Sequence, residues 1–174
     1  MKKSGHTVFN YSDVFFSYHF SDERRCSSMA REHYLVYVYS GEYIVEEGGK
    51  TIVARAGDCI FIRRDNRVNM IKQSLGDEPF QGIFLFFKRN FLRKVLHKFE
   101  KTDLPLDADR MKKSVVKLPD SPDIKSLFTS MVPYFDSSQK PAAGMMDLKM
   151  LEAIYSLLNI DPQFYPALFD FTEP

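Results

Sequence analysis

The segment of residues 34–68 consists of short β-branched and aromatic runs, and a polar turn containing glycine follows each of the first three. Apolar runs of about five residues between such close turns are typical of an antiparallel sheet. Glycine suits these reversals because it adopts positive φ without steric cost. We therefore predict four consecutive strands, at residues 34–39, 42–46, 51–55 and 59–62.

Further apolar runs extend this pattern on both sides. The run FQGIFLFF at residues 80–87 is the most hydrophobic of the chain, which favours a strand covered on both faces. The segment 26–33 is ambiguous and is consistent with a strand that leads into Tyr34. Shorter strands are predicted at residues 8–11, 14–20, 69–71 and 115–118, with a loop at residues 72–79.

The hydrophobic period becomes helical after Lys88, and amphipathic helices are predicted at residues 91–99, 122–135 and 145–158. Pro133 should end or kink the second helix, and Asn159 suits the C-cap of the third. The third helix carries two apolar stripes, which is more than contact with one core requires. Strands followed by helices along one chain indicate an α+β fold.

Composition narrows the functional classes. A chain of 174 residues is about one domain, and its net charge of +1 gives it no overall electrostatic attraction to a polyanion. Two cysteines fit a reducing compartment better than a disulfide framework. No secretory signal and no apolar run long enough for a membrane span is evident, so we expect a cytoplasmic protein without a membrane partner.

Several of these pieces resemble a known family in their order. They are Gly41 after the first central strand, Gly49 in the hairpin, GDCIFI at residues 57–62, the strand-to-helix passage at 83–96 and the leucine-rich helix at 148–158. Together they resemble the N-terminal cupin-like domain of AraC-family transcription regulators, and most closely the subgroup similar to the type III secretion activator ExsA.

The resemblance implies an α+β fold, with a cupin-like antiparallel β-barrel (a double-stranded β-helix or jelly roll) followed by about three helices. It implies a barrel at residues 1–87, a helical dimerisation segment packed on the barrel at 88–160, and the start of a linker at 161–174. The family's helix-turn-helix units are absent from this sequence, so the chain is expected to be a fragment that reaches DNA only through that missing domain.

The function implied by the resemblance is effector sensing and dimerisation rather than catalysis. The expected partners are a second copy of the chain and a small-molecule or protein effector. A stand-alone cupin binding module is the alternative, followed by a metal-dependent cupin enzyme. Catalytic cupins carry His and Glu ligands, but the corresponding positions here are Ser28, Ala30, Tyr34 and Val68. We therefore expect no catalytic residues, no metal and no cofactor.

Three candidate sites follow. If the barrel is hollow, its lining is predicted to be Tyr34, Val36, Val38, Phe61, Phe84 and Phe86; the alternative is that these side chains simply fill it. Arg63 and Arg64 are a candidate anion contact, with a solvated turn as the alternative. The predicted dimer interface consists of Leu148, Leu151, Ile154, Tyr155 and Leu158, unless both apolar stripes are buried within one protomer. Cys59 is predicted to be a small buried hydrophobe.

Overall fold

A computed structural model describes residues 7–11, 14–19, 24–136 and 141–171 of the chain. The strands are β1 Thr7–Tyr11, β2 Val14–His19, β3 Arg24–Met29, β4 His33–Ser40, β5 Glu42–Glu47, β6 Lys50–Arg55, β7 Cys59–Ile62, β8 Arg67–Gln73, β9 Phe80–Phe87 and β10 Val115–Lys117. The α-helices are α1 Arg89–Lys98, α2 Pro122–Met131, α3 Pro133–Asp136, α4 Ala143–Ile160 and α5 Phe164–Phe169, and a 3-10 turn spans Lys101–Asp103. The predicted strand end at Phe20 and the predicted linker at residues 137–140 lie outside the described residues.

The described chain divides into a β unit and a helical unit. The β unit consists of the chain up to Phe86 together with the short segment Lys113–Leu118. The helical unit consists of Phe87–Lys112 and the chain from Pro119 onward. Strands followed by helices confirm the predicted α+β class. The four central strands match their predicted positions to within one residue at each end.

The strands of the β unit form two sheets rather than one closed ring. One sheet has the order β1-β2-β9-β4-β7-β10, and the other has the order β3-β8-β5-β6. Within the first sheet β7 pairs antiparallel with both β4 and β10, and within the second β8 pairs antiparallel with both β3 and β5. The prediction that residues 26–33 form a strand leading into Tyr34 is therefore not met. Strand β3 belongs to the four-stranded sheet, whereas β4 belongs to the six-stranded one.

A hydrophobic core contains side chains from both sheets. From the larger sheet it includes Tyr34, Val36 and Val38 of β4 with Ile60 and Ile62 of β7. From the smaller sheet it includes Tyr43, Val45, Ala54 and Val68. All of these side chains are at most 5% exposed, so the apolar face of each sheet is removed from water.

Gly41 makes the reversal between β4 and β5 possible. Its φ of 71° is positive, and a Cβ placed there would lie 2.6 Å from the Phe80 Cα and 2.9 Å from the Gln73 carbonyl oxygen. Beside it, the Ser40 hydroxyl donates to the Pro79 carbonyl oxygen at 2.6 Å. The start of β9 is therefore held directly against the end of β4.

The side chain of Lys117 connects an edge strand of one sheet to an edge strand of the other. Lys117 Nζ on β10 donates to the Val53 carbonyl oxygen of β6 at 3.0 Å and lies 3.2 Å from Asp58 Oδ2. The strands β6 and β10 are the outermost strands of their respective sheets. One side chain thus occupies a backbone acceptor on an edge strand that has no ladder partner on that side.

Helix α2 packs on α4 within the helical unit. The stripe predicted for the second helix is buried at Ile124, Leu127, Phe128 and Met131. Ser121 caps this helix, because its Oγ accepts a hydrogen bond from the Ile124 amide at 3.3 Å. The predicted break at Pro133 is confirmed, since α2 ends at Met131 and a separate turn of helix begins at the proline.

Two features at the end of α4 differ from the prediction. The helix continues to Ile160 with Asp161 as its C-cap, so Asn159 is not the cap; its Nδ2 instead donates to Asp123 Oδ2 at 3.2 Å. The aromatic tail forms α5, because Phe164 and Leu168 each bury all but 1% of their surface. Burial of these apolar side chains holds the segment in the helical unit.

We expect Gly41→Ala to lower the free energy of unfolding by about 2–4 kcal/mol, because it combines a strained φ with a clash against the Phe80 backbone. Gly48→Ala is the matched control: φ is 55° there, but the space around it is open, so a loss of about 1 kcal/mol is expected. Urea unfolding measures both. Equal losses would show that the approach to Phe80 is not a constraint.

Candidate functional site: an aromatic cluster and an exposed helix face

Five aromatic side chains form a continuous cluster in the β unit. Tyr43 lies 5.9 Å from Phe80 in a stacked arrangement and 5.7 Å from Phe84 in an edge-on one, measured between ring centroids. Tyr34 lies 5.3 Å from Phe86, and the Phe84 and Phe86 rings stack at 6.5 Å. These separations are typical of favourable aromatic pairs. The cluster thus forms a largely buried apolar region that contains two phenolic hydroxyl groups.

Strand β8 adds a thioether and a cation to this cluster. Its register pairs Met70 with Val45 and Lys72 with Tyr43, and residues paired across an antiparallel ladder share a face. Both tyrosine hydroxyls, of Tyr34 and Tyr43, donate to the Met70 sulfur.

Lys72 Nζ lies 4.6 Å from the Phe84 ring centroid and 5.8 Å from that of Phe80. An ammonium group over aromatic faces is stabilised by cation–π attraction. The half-buried lysine therefore places a positive charge directly on the aromatic cluster.

The structure brings five of the six predicted lining residues to this core. Tyr34, Val36, Val38 and Phe84 belong to it, and Phe86 packs against it. Their role in binding a ligand stays a prediction.

Phe61 is the exception, and its predicted place inside the barrel is wrong. It pairs with Leu35, which faces away from Tyr34 and Val36, and it stacks on His33 at 5.8 Å. The register assigns the inward positions of β7 to Ile60 and Ile62.

Tyr43, Met70 and Lys72 were missed by the sequence analysis, which ended the strand at residue 71 and assigned Lys72 to a loop. The alternation of Val68, Met70 and Lys72 in a single extended strand is the signal that identifies their common face.

Arg63 and Arg64 lie in the turn between β7 and β8. Arg64 Nε is 3.4 Å from Asp65 Oδ2, and the Arg64 amide donates to Nδ1 of the buried His33 at 3.0 Å. Asp65 adopts a φ of 65°. An acidic neighbour within 3.4 Å competes with any incoming anion, and the proposed anion contact stays a prediction.

The thiol of Cys59 is buried, which disfavours its thiolate form. Desolvation, assisted by the nearby Asp58 carboxylate, raises the pKa of Cys59 far above its ordinary value. The pKa values of Tyr37 and Tyr39 are raised as well, mainly by desolvation. In the ranges that the structure covers, no three His, Cys, Asp or Glu side chains come together in a way that could hold a metal ion.

The two apolar stripes of α4 have different surroundings. Met150, Ala153, Ile154 and Leu157 are buried in the helical unit. On the opposite side Leu148 is 60% exposed and Tyr155 is 52% exposed, while Leu151 and Leu158 are half-buried.

Ile154 is therefore not available to a partner, which corrects its assignment to the predicted interface. The helical wheel explains the difference, since position 154 follows 150 by four residues and shares its inward face. The face formed by Met145, Leu148, Leu151, Tyr155 and Leu158 is called the α4 stripe below.

The sequence profile of a family described as the ExsA N-terminal regulatory domain matches residues 33–165. No curated protein sequence matches the chain significantly. Among the described residues, no helix combines the length and apolar character needed to cross a membrane.

Solved structures of ToxT from Vibrio cholerae have a similar fold. An apo variant is 14% identical with a TM-score of 0.62, and the match covers 94% of this chain and 61% of ToxT. Wild-type ToxT bound to an unsaturated fatty acid is also 14% identical with a TM-score of 0.62, covering 99% and 61%. ToxT bound to (E)-4-(8-methylnaphthalen-1-yl)but-3-enoic acid is 12% identical with a TM-score of 0.60, covering 92% and 60%.

These similarities confirm the predicted α+β, cupin-like fold. The chain spans about 61% of the length of the ToxT chains that it matches.

We expect the Cys59 thiol to react with a disulfide reagent at pH 8 at least about 100-fold more slowly in the native protein than after unfolding in guanidinium chloride. The comparison is made in a Cys26→Ser background, so that one thiol is followed. Rapid labelling of the native protein would contradict the burial on which the raised pKa depends.

Proposed function

The chain belongs to the ExsA N-terminal regulatory domain family, and on that premise we propose that it senses an apolar carboxylic acid and holds two regulator subunits together. It is a regulatory domain of the AraC type of transcription regulator. The observation that carries the proposed effector class is the position of Lys72 on the aromatic cluster.

The ligands of the similar ToxT structures suggest the chemistry of the effector. An unsaturated fatty acid and a methylnaphthyl butenoic acid share an apolar body and one carboxylic acid group. The cluster in this chain offers a complementary pair of features: aromatic faces from Tyr34, Tyr43, Phe84 and Phe86, and the ammonium group of Lys72.

The energetic terms favour such a ligand. Burial of an alkyl chain against the aromatic side chains contributes about 0.8 kcal/mol per methylene group. A carboxylate beside Lys72 Nζ adds a charge-assisted hydrogen bond, which contributes about 1.5–3 kcal/mol in a partly desolvated place. Apolar contact therefore supplies affinity, and the lysine selects an acid over a neutral lipid.

The second part of the proposal is a homodimer formed through the α4 stripe. Leu148 and Tyr155 expose more than half of their surface, and Met145 exposes 45%. Apolar residues that line one face of a helix and remain exposed are typical of an interaction surface. A symmetric dimer presents the same patch from both copies, so one stripe serves both subunits.

The remaining parts of the proposed function concern DNA and the effect of the ligand, and they draw on ToxT chains of which this chain covers about 61%. We infer that DNA is bound by a separate domain and that the effector alters how two such domains are arranged. The proposed role is binding rather than catalysis. Because a regulator of this type acts on DNA, we infer that the protein lies in the cytoplasm. The raised pKa of the buried Cys59 thiol, caused mainly by desolvation, agrees with a non-catalytic role.

We expect Lys72→Gln to weaken the binding of oleate by about 10- to 100-fold, because the charged hydrogen bond is lost while the apolar surface remains. Isothermal titration calorimetry measures the affinity. Methyl oleate, which carries no charge, should bind both forms equally.

Lys50→Gln is the matched variant, since Lys50 is an exposed lysine at the start of β6. It should leave oleate affinity unchanged. Equal affinity of wild type and Lys72→Gln for oleate, or no binding of oleate by wild type, would refute the proposed acid site.

We expect Tyr155→Asp to weaken the dimer at least about 100-fold, because the interface would bury two unpaired carboxylates. Sedimentation velocity measures the dissociation constant. Leu75→Asp, at an exposed leucine of the β unit, is the control and should leave it unchanged. A wild-type chain that is monomeric at high concentration would rule out the dimer.

A further inference from the structure

Strand β8 places the sulfur of Met70 where two tyrosine hydroxyl groups converge. The Tyr34 hydroxyl, from β4 in the larger sheet, donates to Met70 Sδ at 3.3 Å. The Tyr43 hydroxyl, from β5 in the smaller sheet, donates to the same atom. Both tyrosines are buried, with 4% and 0% of their surface exposed. The sulfur is therefore a common contact of side chains from both sheets.

The acceptor in this arrangement is weaker than its donors. A phenol O–H is a full hydrogen-bond donor, whereas a thioether sulfur is only a weak acceptor. Inside a protein a hydroxyl group gains more from a strong acceptor, because the local dielectric constant is low. Methionine sulfoxide carries a polar oxygen on the same sulfur. Oxidation of Met70 would therefore place a stronger acceptor one bond away from the atom that both hydroxyls already contact.

Met70 lies at the margin of the core, within reach of a small oxidant. It is only partly buried, and it packs against the core together with Ile52 and Phe86, which are also partly buried. The preceding residue on β8, Asn69, is exposed. Hydrogen peroxide is little larger than water, so it can approach the sulfur from the exposed side without unfolding of the strand.

We propose that Met70 is a site of reversible oxidation by hydrogen peroxide, in which the hydroxyls of Tyr34 and Tyr43 hold the sulfoxide oxygen. The sulfur attacks one peroxide oxygen, the O–O bond breaks, and a proton is transferred so that water leaves. The thioether loses two electrons and the peroxide gains two. A methionine sulfoxide reductase reverses the step with two electrons from thiols and releases water. Oxidation at this position does not depend on the proposed acid ligand.

Other methionines of the described chain differ from Met70 in their access to solvent. Met29 and Met145 are 48% and 45% exposed, so water would solvate their sulfoxides. Met131 and Met150 are 1% and 3% exposed, so peroxide reaches them only when the fold opens. Met70 combines partial access with two internal donors. That combination favours a sulfoxide that the folded protein accommodates.

Oxidation of Met70 changes the interior of the β unit while the fold persists. A sulfoxide buried without donors disrupts a core, because its oxygen is desolvated and gains nothing in return. Here two hydroxyl donors offset the desolvation. The added oxygen also links Tyr34 of one sheet to Tyr43 of the other. The oxidised form is therefore a second stable state, which a reversible response to an oxidant requires.

Peroxide treatment of the whole chain tests whether Met70 is the site. In a Cys26→Ser background, peptide mass spectrometry follows each methionine separately. We expect Met70 to be oxidised at least about 10-fold faster than the buried Met150. Methionine sulfoxide reductase with dithiothreitol should return it to the thioether.

Near-ultraviolet circular dichroism gives a second readout in the same samples. The chain has nine tyrosines and no tryptophan, so this spectral region reports mainly on tyrosine surroundings. The spectrum should change on oxidation and recover on reduction. Met70→Leu is the matched control, and its spectrum should not change with peroxide.

Removal of the two hydroxyls separates a specific site from simple exposure. After subtraction of the change seen in Met70→Leu, oxidation should lower the melting temperature of the parent protein by about 2 °C or less. The Tyr34→Phe/Tyr43→Phe variant should lose about 4 °C or more, because the sulfoxide oxygen then lacks its donors. Should the double variant not fold, Tyr34→Phe alone provides the comparison.

Three results would overturn the proposed site. The first is unmodified Met70 at a peroxide concentration that fully oxidises Met29. The second is an equal loss of melting temperature with and without the hydroxyls of Tyr34 and Tyr43, since exposure alone would then explain the reaction. The third is a Met70 sulfoxide that the reductase cannot restore in the folded protein.

Discussion

The close approach of two backbones at Gly41 and Phe80 is the constraint on which the β unit depends. Strand β4 is buried on both of its faces, from His33 to Val38. A shift by one residue would exchange one apolar set for another, so hydrophobicity alone specifies the register of this strand weakly. Contact with the start of β9, which a side chain at position 41 would prevent, fixes which set faces the core.

That register determines the chemical character of the interior. In this register Tyr34 faces the core. Tyr43, Met70 and Lys72 lie on the core-facing side of the other sheet. A charged group among aromatic rings is costly unless its field is compensated, and the ring faces supply part of that compensation. The interior is therefore not a uniform apolar filling, because it holds a lysine ammonium group beside aromatic rings.

The positions of the strands and helices could be predicted from the sequence better than which face of each one is buried. Glycine turns and β-branched runs located the central strands because their chemistry is local. The inward position of Phe61 was predicted wrongly because both faces of β7 are apolar and only pairing with Leu35 reveals the direction. Lys72 was missed because a polar strand end looks like a loop until its partner Tyr43 is known. On α4 the two stripes were visible, but only the packed structure shows that Ile154 belongs to the buried one.

The path of the chain through β10 has a consequence for dissecting the molecule. Residues Lys113–Leu118 belong to the β unit, whereas the segments before and after them belong to the helical unit. A gene cut after β9 would therefore yield a sheet lacking its outermost strand, with the backbone of Cys59–Ile62 open to other chains on that side. Neither unit is one continuous segment of the chain. Recombination or truncation at a single point therefore cannot separate the two units from each other.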